Sequence, residues 1–357
     1  MSDFISKLDI TTFRGIKQLS LSDLSVVNVL VGANNSGKTS VLEAIRFLSA
    51  THDIGKIVSL SFLRAPVTKR DGKIIDYFST LFHKEVDDGD EDEKKRTHYS
   101  IALSATVSKK YLSYESSGNI DVQYDGHGIS SKVFVFSTKT QTNTNKAEYE
   151  DYILYDNGKI ASKSGLSAKD DDFGSLYMHS ATSYYHSCAR LLSDAIVDYN
   201  KNELLTLVKS FDSTIQDISI VNDTIYLHNS VSGTLPLFAY GIGLQKALLL
   251  SVILYLHKGD ILLIDEIDNA INMAAFRDIF PWFVDKCVEF EVQAFVTTHS
   301  VEAIDAILET ESENKTTDNI RIITLRKTPK THQTIAKIRT GKQARNDREN
   351  FGMELRV

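Results

Sequence analysis

The chain has 357 residues, 42% of them hydrophobic, and a formal net charge of −7. That content fills the core of one large or two modest domains and excludes a wholly disordered chain. The negative balance excludes a surface that binds nucleic acid everywhere, so any such contact belongs to a local basic face. Cys188 and Cys287 are the only cysteines. They make neither a disulfide framework nor a zinc site, and a reducing cytoplasm is expected. Residues 1–7 lack the basic-then-apolar pattern of a secretion signal, and no uninterrupted apolar run is long enough to cross a membrane.

Residues 4–13 alternate loosely as a strand, Arg14-Gly15-Ile16 breaks the alternation, and Leu19, Leu21 and Leu24 resume it. Strand, turn and strand are expected. Arg14 reads either as approaching a nucleotide or as a solvated turn residue. Residues 26–31, Val-Val-Asn-Val-Leu-Val, read as a buried strand. It runs into residues 32–39, Gly-Ala-Asn-Asn-Ser-Gly-Lys-Thr, which match the phosphate-loop pattern G-x-x-x-x-G-K-[ST]. Residues 39–48 read as the helix that follows. Gly32 and Gly37 permit a backbone whose N–H groups turn inward around phosphate oxygens. Asn34, Asn35, Ser36, Gly37, Lys38, Thr39 and Ser40 are therefore the expected nucleotide-binding residues. Lys38 would reach the β- and γ-phosphates of ATP, and Thr39 would ligate Mg²⁺.

Residues 85–95 are a charge run, read as a mobile loop. Residues 97–160 hold short β-rich pieces at 98–107, 120–124, 132–136 and 152–155, which predict a small antiparallel sheet. Asp170, Asp171 and Asp172 read as solvated loop residues rather than a metal cluster. Helical spacing covers 184–199 and 203–208, with Asn200 and Asn202 as break and cap. Two strand-like runs, 215–221 and 224–227, flank the hairpin signal Asn222-Asp223.

Gly241 and Gly243 precede a strongly apolar helix, as an anion-binding helix start or a plain glycine turn. Residues 260–266, Asp-Ile-Leu-Leu-Ile-Asp-Glu, describe a buried strand tipped by two carboxylates. Asp265 is expected to hold Mg²⁺ through its water shell, and Glu266 to orient and deprotonate the attacking water. Residues 292–300 form a third β-run, which ends at His299, expected to donate to the γ-phosphate. Residues 321–349 carry nine Lys and Arg against Asp347 and Glu349. They read as a solvated, partly mobile tail, a dock for an acidic partner, or a nucleic-acid contact.

Phosphate loop, glycine pair before a helix, Ile-Asp-Glu and Thr-Thr-His-Ser, in that order, resemble the ABC-class ATPases. More narrowly, the chain resembles the overcoming-lysogenization-defect (OLD) and RecF-like group of AAA-family ATP-binding proteins. The echoes are residues 13–16, 32–44, 264–269, 297–300 and 350–356. The resemblance implies an α/β P-loop NTPase of ABC-head type, with an added antiparallel β-sheet and a helical lobe. One head would span 1–357, with a phosphate-loop half at 1–50, an inserted lobe at 51–235 and the remaining half at 236–357. It implies ATP and Mg²⁺ sandwiched in a homodimer or higher homo-oligomer, Gly241 and Gly243 acting in trans, and Asp268 in a loop communicating across the dimer. Gly241 stands where a signature serine is common, and Asn272 where many relatives carry histidine. Both departures bear on hydrolysis rate rather than ATP binding. The separation of Lys38 from Gly243 argues against a coiled-coil arm. The 57 residues after Ser300 are too few for a Toprim nuclease domain. The expected function is a cytoplasmic sensor subunit of a bacterial anti-phage system that controls a separate toxic effector from the same operon. The alternatives are a RecF-like repair ATPase that binds DNA directly and a stand-alone NTPase.

Overall fold

Three short parallel strands, buried along their whole length, stand at the centre of the molecule. The computed structural model describes residues 4–62, 74–87, 96–124, 130–143, 145–162, 176–179, 201–209, 212–222, 224–269, 271, 273–310, 318–331 and 333–356. The first elements are β1 (Ile5–Phe13), β2 (Ile16–Ser22), β3 (Val27–Val31), α1 (Lys38–Leu48), α2 (Ile54–Leu60) and α3 (Ile74–Ser79). There follow β4 (His83–Asp87), β5 (Arg96–Val107), β6 (Lys110–Tyr124), β7 (Ser130–Thr142), β8 (Glu148–Tyr155), β9 (Ile160–Ser162) and β10 (Leu176–His179). Next come α4 (Lys201–Lys209), β11 (Ile215–Val221), β12 (Thr224–Asn229), β13 (Gly233–Pro236), α5 (Ile242–Leu256) and β14 (Ile261–Ile264). The chain continues through α6 (Phe276–Glu289), β15 (Gln293–Thr297), α7 (Val301–Leu308), β16 (Ile320–Lys327), β17 (Thr334–Thr340) and α8 (Gly341–Phe351).

The central sheet runs β10-β14-β15-β3-β16-β17, parallel except for β17. Strands covered on both faces must be apolar or carry polar groups that are hydrogen-bonded: β14 is apolar throughout, and the buried Asn28 of β3 and Gln293 and Thr297 of β15 are hydrogen-bonded. Their side chains alternate between two cores. Val27, Val29, Val31, Leu262, Ile264, Ala294 and Val296 face one core, with α5, α6 and α7. Leu30, Ile261, Leu263 and Phe295 face the other, with α1 and the second sheet.

That second sheet is antiparallel, ordered β2-β1-β5-β6-β7-β8-β9 with β4 paired to β5. It is larger than the alternation predicts. The piece at 120–124 is only the end of a 15-residue strand, β6. Two inward positions of β6 are Ser116 and Gly118, which hide the apolar alternation. Ser116 is buried and donates to the Ser137 carbonyl at 2.9 Å. A Cβ at Gly118 would stand 2.6 Å from the Cβ of Phe136. The two sheets are stapled by buried Gln293, which accepts from the Ile5 N–H at 2.7 Å and donates to the Ile5 carbonyl at 2.8 Å.

Several expectations need correction. Residues 85–87 of the charge run lie in β4, where Glu85 pairs with Lys17 at 2.7 Å; residues 88–95 lie outside the described residues. Asp170 to Asp172, Cys188, Asn200 and the expected helix at 184–199 also lie outside them. Asn202 sits inside α4 rather than ahead of it. The strands at 215–221 and 224–227 are β11 and β12, joined through a turn where Asn222 has φ 48°. A third strand, β13, extends that hairpin unannounced.

Residues 321–349 are not a tail. They form β16, β17 and α8, and four of their five guanidinium groups pair with carboxylates of the chain. Buried Arg321 pairs with Asp23 at 3.0 Å and Asp318 at 2.9 Å. Buried Arg339 pairs with Asp347 at 3.0 Å and donates to Thr324 Oγ1 at 3.1 Å. Arg348 pairs with Asp305 at 2.7 Å and Arg345 with Glu349 at 2.7 Å. Among the described residues no helix is long and apolar enough to cross a membrane.

Candidate nucleotide-binding site

β3, β14 and β15 are in register, with Ile264 opposite Val296 and Thr297 opposite Leu30. Their C-terminal ends therefore deliver three polar segments to one edge of the sheet, where ligands of open α/β folds sit. The segments line a cavity of about 320 Å³ made by residues 34–40, Asp265, Glu266 and His299. The structure thus brings together the phosphate-loop residues, both carboxylates and the histidine singled out in the sequence.

The loop needs its glycines. Gly32 has φ 144°, and a Cβ there would stand 2.3 Å from the Leu325 carbonyl oxygen. Gly37 has φ 105° and opens α1, whose first turn has no side-chain cap. A helix start without a side-chain cap favours an anion. Lys38 is buried, with Nζ donating to the carbonyls of Gly32 at 2.8 Å and Ala33 at 3.0 Å. Burial pushes its ammonium below the ordinary value, and the charges of Asp265 and Glu266 oppose that shift.

Asp265 is held at both oxygens. Thr39 Oγ1 donates to Oδ2 at 3.0 Å, and Thr297 Oγ1 donates to Oδ1 at 2.5 Å. Thr297 Oγ1 in turn accepts from the Glu266 N–H at 2.8 Å. A hydroxyl beside an oriented carboxylate is an all-oxygen donor pair, the chemistry Mg²⁺ takes, so Thr39 and Asp265 fit that ion. Glu266 has φ 53°, a left-handed conformation that is strained for a side-chain-bearing residue and is common at functional sites. His299 is exposed at the rim. Its carbonyl accepts from Arg356 Nη1 at 2.7 Å, and the next residue, Ser300, caps α7 through the Ala303 N–H at 3.0 Å.

Gly241 and Gly243 do not reach this cavity. They open α5 without a side-chain cap, and a Cβ on either would meet nothing within 4 Å. The fold of the chain itself does not demand glycine there. Asp268 lies in the turn after Glu266, half-buried, with Oδ1 lacking a hydrogen-bond partner. Asn272 lies outside the described residues. Arg14 is not solvated and is not among the residues that line the cavity. It has φ 51°, and its Nε meets the buried Glu43 carboxylate of α1 at 2.8 Å. Sequence reasoning gave Thr297, Lys246 and Arg356 no role at the site, although Thr297 and Arg356 lie within the family echoes and Lys246 is a lone charge at the start of an apolar helix.

This fold and this edge define a P-loop ATPase head of the ABC type. Residues 27–305 match the family described as "AAA domain, putative AbiEii toxin, Type IV TA system", and the chain belongs to that family. The matches support an ABC-type AAA ATPase head with likeness to RecF proteins. A Helicobacter pylori "ATP/GTP phosphatase" is 20% identical over 331 residues, covering 85% of this chain and 87% of that protein. The Nitrosococcus oceani "DNA replication and repair protein RecF" is 43% identical over 61 residues, 17% of each chain. Among solved structures, the Smc head bound to the C-winged helix domain of ScpA has a TM-score of 0.51 at 14% identity. The match covers 96% of this chain and 99% of that one.

Proposed function

We propose that this head binds and hydrolyses ATP with Mg²⁺ between two copies of itself. We propose further that it is the cytoplasmic sensor subunit of an anti-phage system restraining a separately encoded toxic effector. The observation that carries the catalytic part is the chain Thr39–Asp265–Thr297–Glu266 beside Lys38. Lys38 exchanges the carbonyls of Gly32 and Ala33 for phosphate oxygens. Thr39 and Asp265 would hold Mg²⁺, which would supply charge neutralisation at the phosphates. Glu266 takes a proton from the attacking water, and His299 donates to the γ-phosphate. Gly241 and Gly243 serve the partner copy's nucleotide, because they do not line their own cavity and a Cβ on either would meet nothing within 4 Å. The toxin–antitoxin wording of the family supports the regulatory part. The RecF-like alternative is weaker: its likeness spans 17% of the chain, and Arg321, Arg339 and Arg348 of the basic segment are paired internally.

Mixing two inactive variants tests the shared site. Lys38→Ala and Gly243→Glu each lose turnover alone. Mixed, they recover roughly a quarter of the wild-type rate, since half of the dimers carry one intact composite site. No recovery contradicts a site built from two copies. Purification from the native operon tests the regulatory part: an effector protein that leaves on ATP addition is expected, and a head that purifies alone contradicts it.

A further inference from the structure

Lys246 is the one charged side chain in α5 and begins its buried run, which continues to Tyr255. Only 2% of it is exposed. An ammonium buried in an apolar helix is costly unless its surroundings compensate. Its Nζ donates to the Asn269 carbonyl, and the charges that favour its protonated form are Asp268 and Glu266. Burial nevertheless pushes it down to about 8.

Asn269 stands between this ammonium and Glu266. Its N–H donates to the Glu266 carbonyl at 2.9 Å, and its Nδ2 lies 3.4 Å from Glu266 Oε2. Glu266 itself is held at φ 53°. The turn that aims the carboxylate is therefore pinned from one side by Thr297 and from the other by a side chain of α5. Gly243 and Lys246 are three residues apart on that helix, so they share a face.

We propose that Lys246 positions Glu266 through the Asp268-Asn269 turn, making hydrolysis depend on the helix that presents Gly241 and Gly243. Lys246 is a positioning residue, not a catalytic one, and the inference rests on Glu266 being the general base. A helix displaced by a neighbouring copy's nucleotide moves the ammonium, and with it the turn that holds the base.

The test compares Lys246→Met, Lys246→Arg, Glu266→Gln and the double variant Lys246→Met/Glu266→Gln in the full chain. ATPase kcat and KM, the Kd of a fluorescent ATP analogue and the melting temperature are measured. Lys246→Met is expected to keep nucleotide affinity within about twofold and to melt no lower than wild type, because an apolar residue of similar length relieves the burial cost. Its kcat falls by roughly tenfold or more, and Lys246→Arg restores most of that loss. The double variant is no slower than Glu266→Gln alone, as expected of groups acting as one unit. Asn269→Ala, which keeps the backbone carbonyl, lowers kcat several-fold with affinity intact and guards against a Lys246→Met that fails to fold. Wild-type kcat in Lys246→Met, or full additivity in the double variant, overturns the proposal while leaving Glu266 as base. Wild-type turnover in Glu266→Gln overturns the base assignment, and this inference with it.

Discussion

The cavity at the ends of β3, β14 and β15 and the basic segment from β16 to α8 both concentrate charge, and they use it in opposite ways. In the segment, each of Arg321, Arg339 and Arg348 meets a carboxylate within 3.0 Å. At the cavity, Lys38 hydrogen-bonds to loop carbonyls rather than to a carboxylate, and α1 starts without a side-chain cap. Charge neutralised inside the chain holds elements together. Charge held ready but not neutralised is what a polyanionic ligand needs. A sum of lysines and arginines along the sequence does not distinguish the two.

Substitutions sharpen that contrast. Arg339→Ala leaves Asp347 and Thr324 without their partner and is expected to destabilise the fold by about 3–5 kcal/mol, the cost of breaking a buried pair. Urea unfolding measures it, and a change under about 1 kcal/mol would break the assignment of this segment to structure. Lys38→Ala should do the reverse, weakening ATP binding by about 1.5–3 kcal/mol, as for loss of a hydrogen bond to a charged group, with stability unchanged. Titration of a fluorescent nucleotide and a thermal melt settle both halves.

Lys246 gives a pH signature. Its folded value of about 8 lies below the ordinary 10.5, so between the two the unfolded chain binds more protons. Stability from this group therefore rises with pH across that window. Wild type should gain stability relative to Lys246→Met between about pH 8 and about pH 10; a parallel profile refutes the burial of a protonated lysine. The smallest effect is expected from reversing Lys330 and Lys337, both exposed and outside every ion pair described above. Lys330→Glu/Lys337→Glu should alter stability by no more than about 0.5 kcal/mol. Wild-type protein that binds DNA in a salt-dependent way, and loses it in this variant, would return the outer face of the segment to nucleic-acid recognition.

The phosphate edge was legible because its chemistry demands particular residues at fixed spacing. Only glycine suits the φ and crowding at 32, and the strand before Asp265 is apolar at every position. The antiparallel sheet was legible only in fragments, because two inward sites are held by Ser116, which bonds to the β7 backbone, and by Gly118, where close approach of β7 leaves no room for a Cβ. Thr297 passed for an ordinary strand end, since its role appears only when β15 is set beside β14. Arg321 looked solvated because its burial depends in part on Asp23, 298 residues away along the chain, although Asp318 is close by. The turn at Arg14 was legible, but its arginine pairs with a buried glutamate of α1 that helical spacing alone does not mark as a partner.

Steady-state ATP turnover by Glu266→Gln, measured beside its affinity for ATP, tests the central claim most directly. The change keeps shape and hydrogen bonding at the end of β14 and removes only the base. Affinity should be that of wild type, and turnover should fall by roughly 10²–10⁴, the contribution of a general base. Turnover equal to wild type would contradict the account and move the base to another residue.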